Sequence, residues 1–504
     1  MAISVLRTKS IERSIQDTDE PGHKLKRELS ALDLTVFGVG VIVGTGIFVL
    51  TGQQAARNAG PAIVISFLLA AVVCALAALC YAEFASTVPV AGSAYTFGYA
   101  TLGELVAWII GWDLVLELGL GAAVVARGWS AYLQTLFDLP PWLAGDSAVP
   151  DWGAMFIVAL LTVVGVVGTK LSGRVTGILV AVKVAVVLFV IGLGLFYVTS
   201  DNLTPFVPPG QPSEGVSGGE EPLLQALLGI VPQQFGFFGI VAAASIVFFA
   251  YIGFDVVATT AEETRNPQRD MPRGILASLA ICAVLYMAVA FVVTGMARYS
   301  SLDTGAPLAK AFSDVGVEWA SKVISLGAIC GITTVILVLL LGQSRVLFAM
   351  SRDHLLPPGI ARVHPRFGTP WLITIGTGVV VALVSGFVPL AKLSELTSIG
   401  TLFAFVVVAI GVIVLRRTRP DLPRAFRTPW VPVLPIVSVL ACLWLMINLP
   451  VDTWIRFVIW MAIGFVLYFV YGMRAAGRRH AGEAEAPVSP AGPPADRVDR
   501  QDTT

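Results

Sequence analysis

Long apolar runs, separated by short polar or Pro/Gly-rich stretches, make up most of the chain. They lie at about 31–56, 60–86, 95–125, 153–170, 173–199, 236–262, 273–297, 318–350, 371–388, 395–415, 430–449 and 454–473. Each is long enough, at roughly 17 residues or more, to carry an α-helix across a bilayer. The pattern predicts an all-α integral membrane protein with twelve transmembrane helices, referred to below as spans 1 to 12. Pro140 to Trp152 and Asp201 to Pro232 are rich in proline and glycine and poor in basic residues, and are expected to be external loops. Residues 1–30 are polar, mixed in charge and free of a cleavable signal pattern, which predicts a cytoplasmic N-terminal tail. Residues 474–504 turn rich in Ala, Pro, Glu and Arg and are expected to form a disordered cytoplasmic tail.

Two of the runs are interrupted. Gly38, Gly40, Gly44 and Gly46 fall within nine residues of span 1. Each glycine costs about 1 kcal/mol of helix propensity relative to alanine, so the cluster marks a point of unwinding. Span 6 carries a comparable interruption at Phe248-Phe249-Ala250-Tyr251-Ile252-Gly253-Phe254-Asp255. Spans 1 and 6 each open a set of five helices, and breaks at corresponding positions of two halves point to a transporter with its site at the breaks. Glycine used only for close helix packing is the alternative. A half-helix resuming after Gly44 exposes N–H groups at Thr45, Gly46 and Ile47, which suit a carboxylate. The first half of span 6 ends in carbonyls near Phe249, Ala250 and Ile252, which suit an ammonium group. The pair fits an α-amino acid, with Asp255 expected to cap the second half of span 6.

Composition narrows the class further. At 56 % hydrophobic residues and 13 % charged, against about 25 % charged in a soluble domain, the chain cannot solvate a water-exposed surface of its size. Basic and acidic residues balance at 33 each, which leaves no basicity for nucleic acid. The five cysteines lie in apolar runs without CxxC spacing, so neither disulfides nor a metal site is expected. No HExxH and no nucleophile elbow is present, and no enzyme activity, catalytic residue or cofactor is expected. Lys and Arg concentrate in alternate loops, among them Arg265, Arg269 and Arg273, Arg345 and Arg352, and Arg416, Arg417 and Arg419. Basic residues are retained inside, so both termini are expected to be cytoplasmic. Arg57, Arg127, Arg298 and Lys310 are among the scattered basic residues of the opposite loops.

The runs Gly44-Thr45-Gly46-Ile47-Phe48, Gly60-Pro61-Ala62, Tyr81-Ala82-Glu83-Phe84, Pro89-Val90-Ala91-Gly92-Ser93-Ala94-Tyr95 and Gly103-Glu104 resemble the amino acid/polyamine/organocation permeases. Tyr251 to Asp255, Glu262 to Pro272, Ala349-Met350-Ser351-Arg352-Asp353 and Phe426-Arg427-Thr428-Pro429 are similar to the branch containing the cationic amino acid transporters. The similarity runs in order over about residues 25–475. It implies the leucine-transporter type of fold, with discontinuous helices 1 and 6. Inverted five-helix repeats then fall at 31–199 and 236–415, an extracellular loop at 200–235 and two peripheral helices within 416–473. It places substrate-backbone contacts on Ile42, Gly44, Thr45 and Gly46 and on Phe249, Ala250 and Ile252, with Phe249 as an aromatic gate. Thr333 of span 8 falls where the family varies a side-chain contact.

Ionisable residues inside apolar helices are costly and are functional candidates by default. Lys183 lies nine residues beyond Arg174, too deep to reach the interface comfortably. The resemblance implies that its amine stands where sodium-coupled relatives hold sodium. Lys183 is therefore the proton-coupling candidate, bonding carbonyls of span 1 near Gly40 to Val43 and polar atoms of span 8. A permanently charged strut is the alternative. Asp113 and Glu117 share one helical face; for Glu117, contact with a cationic substrate and a hold on neighbouring helices both stay open. The expected activity is proton-coupled import of small neutral and/or cationic α-amino acids through the plasma membrane by alternating access. The expected partners are the amino acid, protons and the lipid bilayer. An amino acid/amine exchanger and a transport-inactive sensor or complex subunit are the alternatives.

Overall fold

The apolar runs fold as helices, and two of them, at Ser30 and Asp151, start on a side-chain cap. The structure, a computed structural model, describes residues 29–87, 93–168, 173–213 and 218–473. Nearly all of both predicted tails, Pro89 to Gly92 of the loop motif and the side chains of Arg174 and Glu262 lie outside the described residues.

Helix α1 (Ala31–Ile42) starts on a capping box, in which Ser30 and Asp33 satisfy each other's backbone N–H groups. After a break, helical turns run from Gly46 to Ala59, and α2 (Ile63–Thr87) follows. Gly60, at φ 61°, and Pro61 separate the two, a turn that a side chain at position 60 would strain. Next come α3 (Ser93–Thr101), α4 (Glu104–Phe137), α5 (Trp152–Val167) and α6 (Gly173–Gly194). The long loop that follows holds β1 (Gln211–Pro212) paired antiparallel with β2 (Gln233–Gln234), and the short α7 (Leu223–Leu228) between them. Then follow α8 (Gly236–Val247), a second break, α9 (Pro267–Met296), α10 (Pro307–Asp314) and α11 (Glu318–Arg352). The chain closes with α12 (Trp371–Phe387), α13 (Leu390–Thr418), α14 (Val433–Ile447) and α15 (Val451–Leu467).

Among the described residues, eight helical stretches are long and apolar enough to cross a membrane. Four shorter apolar helices, α1, α5, α12 and α14, stand at predicted spans 1, 4, 9 and 11. Outward-facing Phe156, Leu160 and Val163 of α5, Leu440 of α14 and Val466 of α15 are exposed. A continuous apolar exterior of this kind is matched to lipid, not water. The chain is a multi-pass membrane protein.

Span 3 differs from its predicted boundaries of 95–125. Gly103, at φ 100°, divides it into α3 and α4, and α4 continues to Phe137. Arg127, expected in an external loop, is inside α4 and 1 % exposed. Its guanidinium donates to the carbonyls of Ser385 at 2.8 Å, Gly386 at 3.0 Å and Asp146 at 3.2 Å. Hydropathy scores the charge but not the carbonyls at the end of α12 that satisfy it.

Packing sorts the helices into two sets. α9 packs chiefly on α2 and α1, whereas α4 packs chiefly on α11 and α13, and α12 on α5. α6 touches α1, α9 and α11, bridging the sets on one side, and α13 touches α2 and α4 on the other. At the predicted cytoplasmic face, Glu83 at the end of α2 is 1 % exposed. It accepts from Arg416 Nε at 2.9 Å and Nη2 at 2.7 Å, and from the Thr428 N–H at 2.8 Å. Arg424 Nε lies 3.4 Å from the same carboxylate. At the opposite face the loop between α6 and α8 is tied to two distant turns. Phe235 N–H donates to Asn58 O at 2.8 Å, while Val451 and Asp452 donate to Glu221 O at 3.0 Å and Gly219 O at 2.8 Å.

Candidate functional site

The two breaks meet in the middle of the molecule. α1 ends at Ile42 because Val43 turns out of the helix, at φ −71° and ψ 95°. Helical geometry resumes at Thr45, and the N–H groups of Ile47 and Phe48 return to the Gly44 carbonyl at 3.2 and 3.4 Å. Ile47, expected to offer a free donor, is therefore engaged. Among the described residues no backbone acceptor meets the N–H groups of Gly44, Thr45 or Gly46. They stand at the start of the second half-helix, where an anion is favoured.

In the second break, α8 passes into one tight turn, Phe248–Tyr251. Ile252 is extended, and its N–H donates to the Phe249 carbonyl at 3.1 Å. Gly253 takes φ 124°, and its N–H donates to Asp255 Oδ1 at 3.1 Å, the capping bond expected of this aspartate. Helical turns then continue from Phe254 to Glu263.

The breaks touch directly. A Cβ on Gly46 would lie 2.3 Å from Ala250 Cα, and one on Gly253 would lie 3.3 Å from the Ile42 backbone nitrogen. Gly46 is thus required by the approach of the other backbone as well as by the turn. Gly46→Ala must push the breaks apart, and a displacement near 1 Å costs roughly 100-fold in a positioned site. Uptake by Gly46→Ala is expected to fall by about that factor, measured at equal amounts of protein in the membrane; retention of normal uptake would show that this contact does not position the site.

Helices α4, α6 and α11 wall the breaks. Thr45 is fully buried, and its hydroxyl faces the Val125 carbonyl at 3.4 Å and packs on Gly128. Next to Gly128, the indole N–H of Trp129 donates to Thr333 Oγ1 at 3.0 Å, while the Thr333 hydroxyl donates to the Ile329 carbonyl at 2.7 Å. Ile42, Gly44, Thr45, Gly46, Ala250 and Ile252 are therefore close together, with Phe249 buried in the adjoining turn and Thr333 on the α11 wall. Lys183 of α6 is 0 % exposed, and its Nζ donates to the Gly40 carbonyl at 2.5 Å, two residues before α1 ends. Its side chain packs on Gly331 of α11, where a Cβ would lie 2.8 Å from its Cγ. No hydrogen bond from Lys183 to a polar atom of α11 is present among the described residues.

Glu117 stands on an earlier stretch of α4, within electrostatic range of Asp255 just after the second break. It lies eight residues before Val125 on α4, about 12 Å along the helix, toward the predicted cytoplasmic face. There it is buried beside Thr401, and Asp113 one turn earlier faces Gly400 of α13. Among the described residues neither carboxylate has an ion-pair partner. Two residues of the site were not legible beforehand. Trp129 and Tyr286, whose hydroxyl donates to the Ile42 carbonyl at 2.7 Å, sit in apolar helical runs where an aromatic residue reads as core. Only the polar atom each carries hints at a partner.

A family model described as "Amino acid permease" matches residues 29–470. A methylthioribose transporter of Bacillus subtilis (strain 168) is 46 % identical over 460 residues, covering 89 % of this chain and 94 % of that protein. The branched-chain amino acid permease BcaP of the same organism is 45 % identical over 487 residues, covering 94 % and 98 %. Cationic amino acid transporter 4, vacuolar, of Arabidopsis thaliana is 39 % identical over 427 residues, covering 83 % and 68 %. With nearly all of its helical residues matched by the family model and relatives at 45 and 46 % identity over nearly their whole length, the chain belongs to the amino acid permease family: it is a membrane transporter of amino acids and not an enzyme.

Proposed function

We propose that the protein imports neutral aliphatic α-amino acids through the cell membrane by alternating access, coupled to protons through Lys183. The observation that carries this reading is the meeting of the two breaks at Gly46 and Ala250, with unbonded N–H groups at Thr45 and Gly46 beside the chain ends of α1 and of the Phe248–Tyr251 turn. Donors on one half-helix and carbonyls on the other match a substrate carboxylate and ammonium. Packing supports twelve crossings in inverted repeats over 31–199 and 236–415: spans 1 and 2 pack with span 7, and spans 3 and 4 with spans 8 and 9. The distribution of Lys and Arg supports cytoplasmic termini.

The wall near the breaks favours a neutral side chain. Thr333 spends its proton on Ile329 and accepts the Trp129 indole, so it offers no free donor. The relative named as a branched-chain amino acid permease agrees with this choice. The equally similar methylthioribose transporter supports a second reading, uptake of a thio-sugar that has neither carboxylate nor amine.

Uptake of labelled leucine into proteoliposomes, acid outside against equal pH, decides. Leucine uptake is expected to need the gradient and to be competed by isoleucine and valine but not by arginine or methylthioribose. Uptake of labelled methylthioribose, with no leucine flux, overturns the amino acid reading. Uptake that requires internal amino acid instead of a gradient makes the protein an exchanger, and binding without flux makes it a sensor.

A further inference from the structure

The first half-helix ends in a row of carbonyls that lack the next helical turn, and a buried carbonyl without a donor is costly. The Val39 carbonyl receives the Val43 N–H at 2.9 Å. Two others receive side chains from two different helices: Gly40 from Lys183 of α6 at 2.5 Å, and Ile42 from Tyr286 of α9 at 2.7 Å. Lys183 belongs to the coupling already described. Tyr286 has no place in it.

Tyr286 is 0 % exposed and is linked to the second break as well as the first. Its ring lies 5.2 Å from that of Tyr251, in the turn that ends α8, and 5.8 Å from Phe67 of α2. Tyr251 in turn donates its hydroxyl to the Phe67 carbonyl at 3.0 Å. The Tyr286 ring is held by two aromatic neighbours, so its hydroxyl is presented to Ile42 in a fixed direction.

A carbonyl accepts two hydrogen bonds. We propose that Tyr286 is a positioning residue for the substrate ammonium: its hydroxyl occupies one lone pair of the Ile42 carbonyl, fixes the orientation of that peptide at the end of α1, and leaves the second lone pair for the substrate. This rests on the amino acid reading above, which puts the ammonium at the chain ends of the breaks. An acceptor oriented in advance binds an ammonium without the cost of ordering a mobile peptide at the moment of binding. The polar contact is thus part of recognition, and the ring stack fixes its geometry.

The test is competition against labelled leucine by the purified full-length transporter in detergent, with leucine and 4-methylpentanoate as competitors. The second molecule keeps the carboxylate and side chain of leucine and lacks the amine. Tyr286→Phe keeps the ring and removes the donor. It is expected to weaken leucine roughly 3- to 10-fold, the worth of one hydrogen bond, and to leave 4-methylpentanoate unchanged, so that the preference between the two falls by the same factor. Tyr468→Phe, which removes a buried hydroxyl paired with Glu104 at 3.0 Å, away from the breaks, is expected to leave that preference as it was. Equal weakening of both competitors, or an unchanged preference in Tyr286→Phe, overturns the positioning role and leaves the amino acid reading standing. A wild-type protein that binds both competitors alike overturns the amino acid reading first, and this inference with it. Should Tyr286→Phe not be recovered from membranes, Tyr286→His, which keeps a ring with an N–H donor, is scored on the same ratio.

Discussion

Lys183→Ala is expected to abolish uptake driven by an acid-outside gradient, down to the level of empty vesicles, while the protein still binds substrate. Lys183 is ten residues into α6, about 15 Å along the helix, and fully buried. Among the described residues it has no carboxylate partner, and its Nζ meets the Gly40 carbonyl near the negative end of α1. A charge-assisted hydrogen bond is about twice as strong as a neutral one. Under the proposed coupling, loading and unloading a proton at Lys183 would tighten and loosen the hold of α6 on the end of the first half-helix, the backbone that forms one side of the site. Alanine removes both states. Lys183→Arg separates coupling from a simple strut, since arginine stays charged under all working conditions. Coupling requires that the arginine protein also loses driven uptake. Gradient-driven uptake by Lys183→Arg at the wild-type rate, in proteoliposomes with matched protein, would falsify the assignment.

Glu83→Gln is expected to lower stability by about 3 kcal/mol, the low end of the range for breaking a buried ion pair by removing one partner. The low end applies because Arg416 is 25 % exposed and is partly compensated by water, although Glu83 itself is 1 % exposed. Both carboxylate oxygens are used, by the Arg416 fork and by the Thr428 N–H. Glutamine keeps the shape, loses the charge, and turns one acceptor into a donor facing an arginine. A melting curve of the detergent-purified protein at a fixed scan rate, with and without leucine, reads the effect. An unchanged apparent Tm would mean that the network is solvated enough to contribute nothing.

The elements that hydropathy and glycine spacing can express were legible beforehand. Apolar length located the helices, and the glycines of span 1 located the point where α1 stops, two residues before Gly44. The bond from the Gly253 N–H to Asp255 followed from a short carboxylate at a helix start. What stayed hidden depends on how helices are rotated against one another. The Glu83–Arg416 pair joins residues 333 apart in the chain, and Arg127 reads as a loop charge until α12 brings its carbonyls over it. Ile47 shows the same limit on a smaller scale. The tight turn after the break recruits its N–H for the Gly44 carbonyl, a choice between two local geometries that residue identity does not decide. Tyr286 and Trp129 are the converse case, since their ring bulk satisfies the apolar pattern and conceals the single donor that gives each its role.

The loop between α6 and α8 takes hold of the turn between α14 and α15 through the backbone of Gly219, Glu221, Val451 and Asp452. The two ends of that strap are more than 200 residues apart in the order of synthesis. At roughly 5–20 residues per second, the ribosome delivers the second end some 10 to 50 s after the first. Within that interval the breaks of spans 1 and 6 are both made, and the loop above them holds only its anchor at Asn58. The nascent transporter thus passes through a stage in which its rim is tied at one end only, until the turn between α14 and α15 ties the other.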